Sequence, residues 1–568
     1  MKKYVIGLDF GTNSVRSVII DVSNGTEISS YVYNYREGVN GVIIDPKDAN
    51  VARQHPIDYI RGIEFSIKGS LKNAKKIKEF KPENVIGIGV DTTGSTPIPV
   101  DKTGEPIVFN KKFKNNINAL AWLWKDHTSY AEAEEITQLA KKEYPEYLTK
   151  CGGKYSSEWF FSKILHCLRI DPEVFNAAYS WVELADYIPG VLTGHKKPNE
   201  LKRSVCAAGH KAMFNPKWGG LPSKEFLSKL DPKLGELRDR LYTKAYTADT
   251  KAGNLSKYWA EKLGLTENVA VAVGAFDAHM GAVGAGISTG ILVKIIGTST
   301  CDMMVVPNTE KLADIPGLCG IVDGSILPNY YGLEAGQSAV GDIFNWFVNN
   351  FIPYEYISES NKKKVDIHSL LIKKAEKLRP GESGLLALDW NNGNRTILVD
   401  ARLTGLILGL TLHTRPEEIY RALIEATGFG AKIIINRFEE YGIKINEVIT
   451  CGGIPDKNPL LMQIYADIIG IPIKISYSSQ TCALGASIFG AVAAGKENGG
   501  YETCESAQQH MCKLKKKEYI PIPENQKIYS ELFQLYKELH DCFGLENVSR
   551  NLYPIMKKLL EIKSKVRI

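Results

Sequence analysis

Two short stretches of this chain set small hydroxyl-bearing residues beside glycine at the end of an apolar run, and both could hold phosphate oxygens. In the first, Asp9-Phe10-Gly11-Thr12-Asn13-Ser14, a carboxylate stands next to a tight turn. Backbone N–H groups and hydroxyls of Gly11, Thr12, Asn13 and Ser14 would cradle a phosphate, and Asp9 would hold the divalent cation that accompanies it. Taken alone, an Asp-x-Gly-Thr turn reads equally as an ordinary hairpin with a locally hydrogen-bonded carboxylate. The second stretch, Gly297-Thr298-Ser299-Thr300, changes that balance, because two such turns facing each other across a cleft would grip a polyphosphate from both sides. Gly452-Gly453, after the apolar Val448 to Thr450, would let a nucleotide approach the backbone closely, or simply turn the chain. The G-x-x-x-x-G-K-[ST] loop and the H-R-D catalytic loop are both missing from the sequence, so a nucleotide would be held in another way.

The elements that must position these residues follow from apolar patterning. Tyr4 to Asp9 and Val15 to Val22 flank the first turn as a β-hairpin, and Ile291 to Ile296 with Met303 to Val306 flank the second, so the chain reads as internally duplicated. A further apolar strand lies in each half, Val85 to Val90 before Asp91-Thr92-Thr93-Gly94 and Val448 to Thr450. Helices between them, such as one after Ser129 with Glu132 at capping-box spacing, make the class α/β. The Gly-Ala-Gly-Ile-Ser-Thr-Gly stretch at 284–290 marks a boundary between domains 1–286 and 287–504. Residues 505–568 read as a helical C-terminal extension and 355–382 as a charged, mostly helical insertion.

Composition excludes several classes. At 568 residues the chain suits two large domains with a cleft between them, and a net charge of +6 with interspersed signs argues against a nucleic-acid partner. Ten irregularly spaced cysteines without a C-x-x-C pair read as reduced cytoplasmic thiols rather than a disulfide framework or zinc site. Asp9 interrupts the apolar run after Met1-Lys2-Lys3, which therefore reads as a strand and not a signal peptide. The Ala483 to Ala494 stretch is too short and Gly-rich to span a bilayer.

The chain resembles the FGGY carbohydrate kinases, of the superfamily that includes actin, hexokinase and the heat-shock chaperones. The resemblance rests on Gly-Leu-Asp-Phe-Gly-Thr at 7–12, Val-Asp-Thr-Thr-Gly-Ser-Thr-Pro at 90–97, Trp-Lys-Asp-His-Thr at 124–128, Gly-His-Lys at 209–211 and Trp-Gly-Gly-Leu-Pro at 218–222. It continues through Gly-Ala-Phe-Asp-Ala-His-Met-Gly at 274–281, Ile-Gly-Thr-Ser-Thr-Cys at 296–301 and Gly-Leu-Glu-Ala-Gly-Gln-Ser at 332–338. Gly405 to Glu425 approximates the family's C-terminal pattern, with Leu423 departing from it.

The resemblance implies two actin-like, RNase H-like ATPase domains flanking a catalytic cleft. It further implies transfer of the ATP γ-phosphate, with Mg2+, to the terminal hydroxyl of L-ribulose. Asp277 would be the catalytic base, although on its own it is equally a helix N-cap. Trp124, Lys211 and Glu334 would contact the sugar, with Ser95 and Thr96 lining the pocket and Asp277 facing the reacting hydroxyl. Gly341 and Asn458 would lie against the adenine. The partners implied are a small sugar and no membrane, with a homodimer as the allowed assembly. Other pentulose or polyol kinases, an actin-like or chaperone-like ATPase and a catalytically silent sugar-binding regulator are the competing readings.

Overall fold

The computed structural model describes residues 2–567. β1 (Tyr4–Phe10) runs antiparallel to β2 (Ser14–Asp21), and β3 (Glu27–Asn34) continues the meander. β4 (Val85–Thr92) lies parallel to β1 and is buried at every residue, which explains its near-continuous apolar reading. With β5 (Lys251–Asn254), β6 (Ala270–Ala272) and β7 (Ala275–Phe276) these form a seven-stranded sheet of order β5-β6-β4-β1-β2-β3, β7 also pairing with β4.

The second half repeats the plan. β8 (Ile291–Ile296) and β9 (Thr300–Pro307) form the second hairpin, and β10 (Gly320–Asp323) and β11 (Tyr330–Ala335) extend it antiparallel. β12 (Glu447–Cys451) and β13 (Ile473–Ser476) add in parallel beside β8, and β14 (Leu514–Tyr519) closes the sheet, giving the order β10-β11-β9-β8-β12-β13-β14. The run β11-β9-β8-β12-β13 is the counterpart of β3-β2-β1-β4-β6: an antiparallel meander followed by two parallel strands on the far side of the first. The duplicated α/β architecture read from the two hairpins is therefore present.

The helices that position the site are α1 (Val205–Lys211), α2 (Asp277–Gly284), α3 (Gly341–Phe351), α4 (Pro459–Ile469), α5 (Thr481–Ala494) and α6 (Pro523–Gly544). α5 belongs by sequence to the second half but lies on the sheet of the first. A Cβ on Gly7, Gly87 or Gly89 would collide with the carbonyls of Ala483, Gly490 and Ala486, so helix and strands meet backbone to backbone. α2 crosses the other way to touch β8 and β9, and packs against α5 through Gly284 and Gly485. Side chains from both sheets, Val5, Val18 and Ile86 with Val293, Met303 and Ile449, share the core around this helix pair. The apolar Ala483 to Ala494 stretch is thus an interdomain helix, and among the described residues no helix is long and apolar enough to cross a membrane. A largely helical subdomain cored by Trp122, Phe160, Ile164, Trp181 and Leu227 completes the first half and carries α1.

Two local expectations change. Ser129 does precede a helix, Tyr130–Glu143, but makes no capping box: its φ/ψ of −92°/28° turn the hydroxyl away, and it donates to the Ser157 carbonyl at 2.9 Å. Glu132 instead pairs with His166 and Arg169. Residues after 505 are not a helical appendix alone, because β14 is a strand of the second sheet and α6 buries Tyr529, Phe533, Tyr536 and Leu539 in that half's core. β14 carries Lys515, Lys516 and Lys517 on an edge strand, where charge is tolerated. All ten cysteines are free thiols.

Candidate active site

Three carboxylates converge at the C-terminal ends of β1, β4 and β7. Parallel register sets Asp9 beside Asp91 and Ala275 beside Asp91, which places Asp277, the first residue of α2, at the same edge. Asp91 is fully buried, and neither carboxylate oxygen has a hydrogen-bond partner. Burial first, then the charges of Asp9 and Asp277, push it well above the ordinary carboxylate range. Burial also raises Asp9, against the pull of Arg16, whose guanidinium lies 3.5 Å away on the adjacent strand. Asp277 is pushed up to about 7 by burial and by the negative charge of Asp9, while its Oδ1 accepts from the Ala278 N–H at 2.7 Å. Three carboxylates at one edge, Asp91 without any hydrogen-bond partner, repel one another, and a divalent cation is the group that relieves this. Sequence reasoning found Asp9 and Asp277 but passed over Asp91, which it read only as the first residue of the Gly-containing segment after Val85 to Val90.

α1 ends in Lys211, whose Nζ lies 3.5 Å from Glu334 Oε1 on β11, and the charges of both bear on Asp277. The pair spans the two halves of the molecule. Burial disfavours the Lys211 ammonium more than any single neighbour favours it, but Glu334, Glu158 and Cys319 together turn the net shift upward. Burial would raise Glu334 too, yet Lys211, His210 and His279 hold it well below the usual range. The Lys211 ammonium also sits 5.4 Å from the Trp159 ring centroid and 5.7 Å from that of Phe276. Charged donor, charged acceptor and aromatic walls suit a polyhydroxylated ligand. Arg395, on the loop after Trp390, has its pKa raised because Glu158, Cys301, Cys319 and Glu334 together outweigh its burial.

Trp124 is half-buried and donates its indole N–H to the Thr12 hydroxyl at 3.0 Å, which joins it directly to the Gly11 to Ser14 turn. Ser95 and Thr96 stand differently from expectation. Both are fully buried, and the Ser95 hydroxyl and the Thr96 N–H donate to the two oxygens of Glu183. Lys163 Nζ braces the same turn by donating to the Ser95 carbonyl at 2.9 Å and the Leu123 carbonyl at 2.8 Å. The Ser95 hydroxyl is thus committed to the buried carboxylate of Glu183, and the Thr96 hydroxyl lies 3.3 Å from that of Thr93, so both are tied into their own turn.

The two glycine turns differ in length, four residues from Gly11 to Ser14 against three from Gly297 to Ser299, but each is closed by its own glycine. The Gly11 N–H donates to the Ser14 carbonyl at 3.0 Å and the Gly297 N–H to the Ser299 carbonyl at 2.9 Å. A Cβ at either glycine would meet only light contact, 3.6 Å and 3.9 Å away, and one at Gly453 would meet nothing within 4 Å, so all three leave room for a ligand. Asn13 donates to the Asn40 carbonyl at 2.5 Å, and the Val340 N–H donates to the Thr298 carbonyl at 2.7 Å. Gly341 opens α3 and is packed on the Gly297 carbonyl and Ile454, supporting the second turn rather than lying open. Gly452 takes φ +102° where the chain leaves β12, beside the end of β8. Asn458 is buried and caps α4 by accepting from the Leu461 N–H at 3.0 Å, which commits its oxygen and leaves its amide N–H2 for another partner. Beneath the second turn Lys294 bonds Asp302 at 2.8 Å and Gln337 at 3.0 Å, and Gln337 bonds Asp389, which accepts from Tyr536 of α6.

Residues 4–284 match the N-terminal domain, and residues 292–494 the C-terminal domain, of the FGGY family of carbohydrate kinases. The chain is an FGGY carbohydrate kinase. The kinase is 43% identical over 568 residues to a ribulokinase of Halalkalibacterium halodurans, covering 99% of this chain and 98% of that one. It is 44% identical over 573 residues to a ribulokinase of Geobacillus thermodenitrificans, covering 100% and 98%. In fold it is similar to the xylulose kinase of Lactobacillus acidophilus, with a TM-score of 0.76 at 19% identity over 96% of this chain and 99% of that one. It is likewise similar to Plasmodium falciparum glycerol kinase with ADP, with a TM-score of 0.73 at 16% identity, covering 96% and 99%. The actin-like two-domain fold of the kinase thus agrees with the expectation drawn from its motifs.

Proposed function

We propose that this kinase transfers the γ-phosphoryl group of ATP to the fifth-carbon hydroxyl of L-ribulose, giving ADP and L-ribulose 5-phosphate. The observation that carries the reading is full-length identity of 42–44% to several ribulokinases, on a chain whose Lys211–Glu334 pair and Asp277 meet in one cleft. Lys211 and Glu334 would donate to and accept from sugar hydroxyls, Trp124 would cover carbon hydrogens, and Asp277 would accept the proton of the attacking hydroxyl. The new O–P bond forms as the bridge from the β-phosphate to the γ-phosphorus breaks, and the electron pair leaves with ADP. The turns at Gly11 to Ser14 and Gly297 to Ser299 would hold the phosphates from opposite sides, with Gly452, Gly453 and Asn458 towards the nucleoside. Asp9 and Asp91 fit a magnesium ion, because the oxygens of Asp91 are buried and unpartnered. When bound, magnesium neutralises charge on the phosphates. Closure of the two halves would exclude water that could otherwise intercept the γ-phosphate.

The test is ADP release with Mg·ATP across L-ribulose, D-ribulose, D- and L-xylulose, ribitol, L-arabinitol and glycerol, beside a control without sugar. Preference for L-ribulose is the expected result. Preference for another acceptor overturns the substrate, and release indifferent to every sugar overturns sugar phosphorylation.

A further inference from the structure

Behind the Lys211–Glu334 pair, two buried histidines that phosphoryl transfer does not use gather around Glu334. His210 on α1, His279 on α2 and Glu334 on β11 come from three separate elements, and their ligand atoms all lie within 4.8 Å of one another. They are 1%, 2% and 8% exposed. His210 Nδ1 is 3.3 Å and His279 Nε2 is 3.7 Å from Glu334 Oε2, and the two imidazoles approach at 3.1 Å between Nε2 atoms.

The hydrogen bonding of this group is incomplete. Ser325 Oγ donates to the Val322 carbonyl, so it accepts from His210 Nε2 at 3.0 Å, which leaves a lone pair on His210 Nδ1 facing the carboxylate. His210 Nδ1, His279 Nδ1 and Glu334 Oε2 are all buried without a hydrogen-bond partner. Lone pairs gathered from two imidazoles and a carboxylate form a donor set for a borderline-soft divalent ion. A tetrahedral zinc with bonds of about 2 Å holds its ligands about 3.3 Å apart, near the 3.3 Å and 3.7 Å that separate Glu334 Oε2 from His210 Nδ1 and His279 Nε2.

We propose that His210, His279 and Glu334 form a transition-metal site of the Zn2+ class, separate from the hard-cation carboxylates at Asp9 and Asp91. Binding draws on Glu334, so it competes with the Lys211 contact and with the sugar. Zinc is therefore an inhibitor competitive with the ketopentose and not with ATP. The competition rests on the sugar reading above; the metal site itself does not.

Chelator-stripped full-length protein is titrated with Co2+ in excess Mg2+, without ATP or sugar. The expected result is one Co2+ per chain with a visible d–d absorption band, displaced by Zn2+. His210→Gln and His279→Gln should each weaken binding at least as much as the roughly 10–100-fold lost with an outer-sphere partner of a metal ligand. X-ray absorption of the Zn2+-loaded wild type needs no variant and should show two imidazoles in the coordination shell. Absence of the band, a zinc shell without imidazole, or cobalt affinity unchanged in both variants would each overturn the site. Addition of L-ribulose should weaken Co2+ binding; unchanged affinity would overturn the competition and leave the kinase assay as the separate test of substrate.

Discussion

Asp277 carries a carboxyl held near neutrality, and that has kinetic and thermodynamic consequences. A general base must be ionised, so kcat/KM should fall as pH drops through about 7, the value to which burial and Asp9 push this group. A pH–rate profile with saturating Mg·ATP checks this, and a cation offsetting Asp9 should move the limb to lower pH. Asp277→Asn should fold and bind ATP while losing on the order of 10²–10⁴-fold in turnover. Because folding raises this pKa, ionisation destabilises the folded chain as pH climbs from the ordinary carboxylate range towards 7. The Asn variant should therefore unfold at a Tm higher by roughly 2–4 °C at neutral pH without ligands. At this scale the sequence was legible where a residue sat in a long motif, as Asp277 and Lys211 do. Asp91, His210 and His279 stand in motifs too, yet their roles were not legible, since the first reads as the start of a turn and a histidine gives no sign of its neighbours until the fold brings two together. Ser95 and Thr96 were found at the right turn, but the buried Glu183 that claims their bonds lies far along the chain.

The elements show why some glycines cannot be replaced and others can. Gly89→Ala would drive a methyl into the Ala486 carbonyl of α5, a backbone atom with no rotamer to yield, and should cost about 1–3 kcal/mol in urea unfolding. Gly453→Ala meets open space, so its unfolding midpoint should stay near wild type, while a rise in KM for ATP would report the space as ligand space. The hairpins, both parallel strands and the duplication were readable from apolar runs and turns, because those signals are local. The capping box at Ser129 failed although its residues match, because the hydroxyl found Ser157 instead. The role of α5 was unreadable for a different reason: an all-round apolar helix reveals that it is buried but not which sheet buries it.

At the scale of the whole molecule, the two halves are not independent bodies joined by a linker. Truncation after residue 504 removes β14 and α6, exposing the core around Phe429 and Leu461, and should leave insoluble protein rather than a deregulated kinase. Tyr536→Phe is the milder probe: it removes one bond to Asp389 and should cost about 1 kcal/mol, with a weakened second phosphate turn seen as a higher KM for ATP. Two domains and a cleft were legible from length and repeated hairpins. The exchange of helices between halves was not, since α5 follows its own strands in sequence and leaves them only in space. That exchange makes each half the missing part of the other. A chain severed between Gly286 and Gly290 would keep Asp9, Asp91 and Asp277 on one fragment and the roof over its glycine floor on the second. The molecule is in that sense already a two-piece device, in which phosphoryl transfer would report that the pieces have met.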